Sequence, residues 1–245
     1  MIGLGTLVNF AAIAIGGAAG SLVKSGLSQR FRNVIMQAIG LSVLIIGISG
    51  ALQGMYAVMD GGKLDRQFIM TMIFSLVIGG VIGEGIDIED KLEKLGQWFQ
   101  RKLVKGEGNF AEGFVTASLV YCVGAMAIVG SLEDGLTGNT STLFAKSILD
   151  GVSAIVFAAT FGIGVSFSAL SVLLYQGGIT LLAGFIKPFL TEAVISQISL
   201  VGSVLILGIG LSMLEIKKIK VGNMLPAIFL PLIFYMLQKL YQLLF

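Results

Sequence analysis

Residues 146–165 read KSILDGVSAIVFAATFGIGV: a lysine, an aspartate four positions on, then an apolar run interrupted by glycine. The next charged residue after Asp150 is Lys187, so 147–186 is charge-free but for one carboxylate. A membrane-spanning helix needs about 20 mostly apolar residues. The stretch therefore holds two crossings joined by a tight turn, or an unwound break inside one helix, and Gly162, Gly164 and Ser166 suit either. Lys146 and Asp150 sit at its mouth, and their depth decides whether they mark a boundary or a site.

Composition agrees with a membrane chain. Of 245 residues 56% are hydrophobic and 12% charged, whereas about a quarter are charged in soluble domains. A net charge of +2 gives no reason to expect nucleic acid as a partner. The chain has no histidine and a single cysteine, Cys122. That excludes imidazole metal ligands, histidine acid–base chemistry and a disulfide framework. No P-loop, nucleophile elbow or arginine-rich helix is present. We expect no enzyme activity and no cofactor; the nature of any bound metal stays unknown.

The length criterion predicts an all-α, polytopic transmembrane bundle of eight spans, at 4–23, 34–56, 68–86, 110–132, 147–165, 168–186, 194–214 and 223–243. All 245 residues are expected to form one integral membrane domain. MIGLGTLVNFAAIAIGG at the start lacks a basic n-region and reads as a span rather than a leader. Loops after odd-numbered spans carry Lys24, Arg30, Arg32, Lys91, Lys94, Arg101, Lys102, Lys105, Lys217, Lys218 and Lys220; the other loops carry Lys63, Arg66, Lys146 and Lys187. Basic loops stay cytoplasmic, which places both termini outside. Within 88–105, Ile88, Leu92, Leu95, Trp98, Phe99 and Leu103 recur at helical spacing among charges. An amphipathic helix on the cytoplasmic membrane surface follows, as an anchor or a docking element.

VIMQAIGLSVLIIGISGAL (34–52) and VISQISLVGSVLILGIGLSML (194–214) share VI-x-Q and, after a one-residue gap, SVLI-x-GI. A glycine pair precedes each, Gly16–Gly17 and Gly177–Gly178, and Gly79–Gly80 is a third. Spans one and two thus recur as spans six and seven, five spans later and so inverted. Shared composition alone is the competing explanation. Inverted repeats are a common construction of secondary transporters. The glycines themselves are packing faces first.

Ionisable groups inside spans are costly and so suggest function. Glu84 and Glu112 fall at the inner side, and Glu133, Asp134, Lys146 and Asp150 at the outer side. Gln37, Gln176 and Gln197 are uncharged polar candidates, with Asn9 also in a span. Lys146 and Asp150 share a helix face at i,i+4. A helix starting near Thr142 would carry Asp150 about 12 Å inward; one starting at Ser147 would leave both at the interface. GSLEDGLTGN (130–139) offers oxygen ligands for a hard cation or is a solvated turn, and it lacks the EF-hand pattern.

EGFVTASLVYCVGAMAIVGSLEDGLTG (112–138), KSILDG (146–151), VLLYQGGITLLA (172–183) and GNMLPA (222–227) resemble the YqgA-type family of bacterial inner-membrane proteins. So do GTLVNFAAIAIGG near the start and MQAIGLSVLIIGI in span two. The resemblance implies a prokaryotic multi-pass protein of unsettled function, loosely linked with biofilm formation and often labelled a transporter. It supplies no established ligand residues. The residues themselves point to a secondary transporter or ion-coupled carrier for an inorganic cation or small polar solute. Asp150 would be the coupling group and Lys146 its partner, in a lipid bilayer and open to homo-oligomerisation. An oligomeric channel and a non-transporting partner or sensor using 88–105 are the alternatives.

Overall fold

The structure, a computed structural model, describes residues 1–24, 29–58, 62–91, 94, 110–122 and 125–244. Its helices are α1 (Leu4–Lys24), α2 (Gln29–Met55), α3 (Ile69–Ile86), α4 (Phe110–Cys122), α5 (Ala125–Thr137), α6 (Ser141–Phe161), α7 (Gly164–Leu181), the single turn α8 (Ala183–Ile186), α9 (Glu192–Met213) and α10 (Leu230–Leu244). A 3₁₀ segment, Gly222–Phe229, leads into α10, and a two-stranded hairpin of β1 (Tyr56–Val58) and β2 (Leu64–Arg66) follows α2. Seven of these stretches are long and apolar enough to cross a membrane; the pair α4 and α5, bent by 62°, makes an eighth if taken as one span. The helical membrane bundle expected from sequence is what forms. Apart from 88–91 and Lys94, the expected amphipathic helix over 88–105 lies outside the described residues.

Two boundaries differ from expectation in ways that matter. The fifth crossing begins at Ser141, six residues before Ser147, and ends at Phe161. Thr142 is not its cap: it lies inside the first turn, and its hydroxyl donates to Glu133 Oε2 at 2.7 Å. Gly162 takes a positive φ of 87°, and α7 starts two residues later. The glycines of 162–164 therefore make the turn between two crossings, since a left-handed residue without a Cβ ends a helix cheaply. The bend within one expected span lies instead between α4 and α5.

By internal contacts the chain divides into two compact units, Met1–Gly40 with Asp90–Ile186, and Leu41–Glu89 with Lys187–Phe245. In the first, α1 runs parallel to α6: Gly5 meets Leu143, Gly16 meets Gly151, and Gly20 meets Ile155. A methyl on Gly16 or Gly20 would overlap a backbone carbonyl of α6. Glycine at i,i+4 thus lets two backbones touch where lipid supplies no hydrophobic drive. Helix α7 is antiparallel to α1, with Gly17 against Ser166 and Thr6 beside Thr180. Helix α4 lies along α7, Gly164 against the Phe110 carbonyl and Ser118 bonded to Ser171 at 2.9 Å.

In the second unit, the C-terminal part of α2 packs antiparallel to α9, Gly47 on Leu207, Gly50 on Ser203 and Gly54 on Leu200. Helix α3 lays Gly79 and Gly83 against the backbone of Ala227 and Asn223 in the 3₁₀ segment. Pro226 lies within that segment and donates no backbone hydrogen bond.

Candidate functional site

Helix α6 is turned inside out relative to a water-soluble helix. Ile148, Leu149 and Val152 are 69%, 61% and 59% exposed, while Lys146 and Asp150 are buried. Apolar groups outward and charges inward is the arrangement a hydrocarbon solvent selects. Asp150 lies nine residues after Ser141, about 14 Å along the axis at ~1.5 Å per residue, and is the tenth residue of a 21-residue helix. Of the two helix starts open from sequence, the earlier one is found.

Two helices meet at this carboxylate, and a third joins through an amide. Lys146 Nζ donates to Asp150 Oδ1 at 2.9 Å and to Oδ2 at 2.7 Å, both side chains 9% exposed. From α1, Asn9 Nδ2 donates to Asp150 Oδ2 at 3.0 Å and also to Gln176 Oε1 of α7 at 3.3 Å. Asn9 and Gln176 are fully buried. One turn away, the Thr6 and Thr180 hydroxyls stand 3.5 Å apart. On the α4 side, Ser153 Oγ donates to the Asp150 carbonyl at 3.0 Å and reaches the Tyr121 hydroxyl at 3.4 Å. Polarity runs one way through the amides. An ionised Asp150 can only accept, so Asn9 must turn its NH₂ toward it, and Gln176 must then turn its carbonyl toward Asn9. Among the described residues that leaves Asn9 Oδ1 and Gln176 Nε2 buried without a partner, whereas most buried polar atoms have one.

The other candidates from sequence fall elsewhere. Asp134 is buried and accepts from the backbone N–H of Gly3 at 3.0 Å and of Gly5 at 3.1 Å. A carboxylate over the first turn of α1 satisfies unpaired N–H groups and the helix dipole, so this oxygen pair caps a helix. Glu133 is half-buried and holds Thr142, and Glu112 is exposed in the first turn of α4. Gln37 is exposed. Gln197 is half-buried in α9, in the second unit. Glu84, also in the second unit, accepts from Lys220 Nζ at 2.5 Å and Asn223 Nδ2 at 2.6 Å. Asn223 Oδ1 in turn accepts from the Glu89 N–H at 2.6 Å. The Glu84 carboxylate holds Lys220 above the usual lysine range, and burial raises the Glu89 carboxyl, partly offset by Lys218. Among the described residues no group of three or more acidic or sulfur ligands is placed to hold a metal.

Sequence reasoning brings Lys146, Asp150 and Gln176 forward but gives no sign that Asn9 joins them. Asn9 is 141 positions from Asp150, and its only signal is being the lone amide in the first span. Tyr121 and Ser153 carry no signal beyond polarity in an apolar run.

A family profile described as "Protein of unknown function (DUF554)" matches residues 4–236. The chain is 35% identical over 227 residues to the uncharacterized membrane protein YdfK of Bacillus subtilis (strain 168), covering 93% of each chain. It is 31% identical over 232 residues to the uncharacterized protein YqgA of Escherichia coli (strain K12), covering 93% of this chain and 94% of that one. No solved structure matches it. With the profile spanning nearly every residue and both relatives aligned over more than nine-tenths of each chain, this membrane protein belongs to the DUF554 family.

Proposed function

We propose that the protein is a secondary transporter, an ion-coupled carrier for a small polar solute or inorganic cation, and not an enzyme. It would lie in the bacterial inner membrane with both termini outside and its basic loops in the cytoplasm. The observation carrying this reading is the Lys146–Asp150 pair, buried midway along a membrane helix and tied through Asn9 to Gln176. Charges at that depth are costly to keep and mark ion or substrate paths in membrane proteins.

Repeat geometry supports the same reading. Gly16, Gly17 and Gly47 each have a counterpart 161 positions later, at Gly177, Gly178 and Gly208. Within each unit the helix pair concerned is antiparallel, as α1 with α7 and as α2 with α9. In the second unit Gly47 meets the backbone of Leu207, which precedes its own counterpart Gly208 in sequence. In the first, Gly17 touches Ser166 near one end of the pair and Gly177 approaches Thr6 near the other. Antiparallel pairing of each helix with its counterpart is what copies of opposite orientation give, and carriers built from inverted repeats bind substrate near the membrane midplane.

The test is counterflow in proteoliposomes over a panel of cations and polar solutes, with Asp150→Asn beside the wild type. A carrier gives saturable exchange that the variant lowers at least about tenfold, by loss of a charge-assisted hydrogen bond, while remaining folded. Equal transport by the variant removes Asp150 from the mechanism, and unsaturable single-channel currents replace the carrier by a channel. Reporter fusions at each terminus test the orientation: a cytoplasmic signal from either one overturns it.

A further inference from the structure

We infer that the two unpartnered amide atoms of this cluster receive a small uncharged solute carrying both a hydrogen-bond donor and an acceptor, for which a carboxamide is the simplest case; the inference rests on the carrier reading above.

Charge is already settled inside the cluster. Lys146 neutralises Asp150, and both carboxylate oxygens accept hydrogen bonds, Oδ2 from Lys146 and Asn9 together. A metal cation would have to displace the ammonium and would leave it buried without a partner, a costly exchange. Asp150 is thus a poor place to add a positive charge while Lys146 remains paired.

What stays open is neutral and of both kinds. The one-way polarity imposed by Asp150 leaves an acceptor, Asn9 Oδ1, and a donor, Gln176 Nε2, on two fully buried residues already bonded to each other. A solute meeting both must donate to the first and accept from the second. Bare cations cannot accept and carboxylates cannot donate, whereas a carboxamide does both within one planar group. The hydroxyls of Thr6 and Thr180 continue these neutral polar groups along the same two helices. Thr6 precedes Asn9 by three positions and Thr180 follows Gln176 by four, so each lies on the same helix face as its amide.

The experiment uses full-length protein in proteoliposomes and measures counterflow of radiolabelled acetamide, acetate and rubidium against protein-free vesicles. The expected result is saturable, protein-dependent exchange of acetamide, with acetate and rubidium at the background. Gln176→Met, which keeps length and removes the donor, lowers acetamide exchange about tenfold, the worth of one buried hydrogen bond. Rubidium or acetate exchange without acetamide exchange overturns the inference and leaves a carrier, with water answering the two free atoms. Acetamide exchange unchanged by Gln176→Met also overturns it. The wild-type comparison among the three probes decides the matter even if the variant fails to fold. The carrier reading itself fails separately, where no member of the wider cation and solute panel shows counterflow.

Discussion

The Lys146–Asp150 pair of the first unit and the Lys220–Glu84 pair of the second are similar in chemistry and opposite in surroundings. Both join an ammonium to a carboxylate, at 2.7 Å and 2.5 Å. The first pair's side chains are 9% exposed, the second pair's 59% and 57%. Asp150 is further held by an amide from another helix, which ends in two unpartnered polar atoms. Glu84 is further held by Asn223, whose own oxygen is satisfied by the Glu89 backbone, so that network closes on itself. An ion pair alone says little. Burial with unspent hydrogen-bonding capacity separates a candidate site from a structural clasp.

Removing one partner of the buried pair is the harshest way to break this contrast. Lys146→Met leaves Asp150 buried and uncompensated, which costs about 3–5 kcal/mol of stability, read as a fall in the unfolding midpoint in detergent. Lys146→Met with Asp150→Leu removes both charges and regains most of that loss, because an apolar pair of similar bulk needs no solvation. Transport stays absent in the double variant. A single variant as stable as the wild type would mean that the carboxylate is not buried as described.

The features legible in the sequence share one physical origin, the membrane as solvent. Hydrocarbon demands long apolar runs, so crossings such as 68–86 and 194–214 lie within two residues of α3 and α9. An i,i+4 spacing survives any change of register, so the pairing of Lys146 with Asp150 could be read before their depth. Depth itself could not, because Ser141 and Thr142 look like loop residues; inside α6 the Thr142 hydroxyl finds Glu133 instead of water. The role of Asp134 was hidden for a related reason. Two adjacent carboxylates suggest an ion mouth until the N-terminus of α1 is found over one of them, using both its oxygens. Nothing in the periodicity of a membrane helix names its neighbour, so the reach of Asn9 to Asp150 and Gln176 needed three dimensions.

A smaller effect sharpens the contrast from the side of packing. In the second unit Gly83 of α3 meets the Asn223 carbonyl so closely that a methyl must push the 3₁₀ segment away. Gly83→Ala should therefore cost about 1–3 kcal/mol, as over-packing does elsewhere, and displace the Asn223 side chain from Glu84. Gly85 lies two residues on with nothing near its missing Cβ. Gly85→Ala should be neutral, or stabilising by about 0.5–1 kcal/mol from helix propensity. Equal effects at the two positions would show that the glycine face is not a contact.

The smallest effect belongs to the exposed clasp. Lys220→Gln removes an ammonium that water solvates well on its own, and exposed pairs seldom contribute measurably. The unfolding midpoint should stay within experimental scatter. Raising the salt concentration should likewise leave it nearly unchanged, since little attraction remains to be screened. Transport, on the carrier reading, should persist unchanged. Loss of both stability and transport in Lys220→Gln would place the second pair on the footing of the first and erase the distinction drawn between them. Asn223 makes that outcome worth seeking: it is 2% exposed and holds Glu84 from the other side. Removing the lysine therefore leaves the carboxylate with a second, buried donor, and that donor keeps the clasp shut.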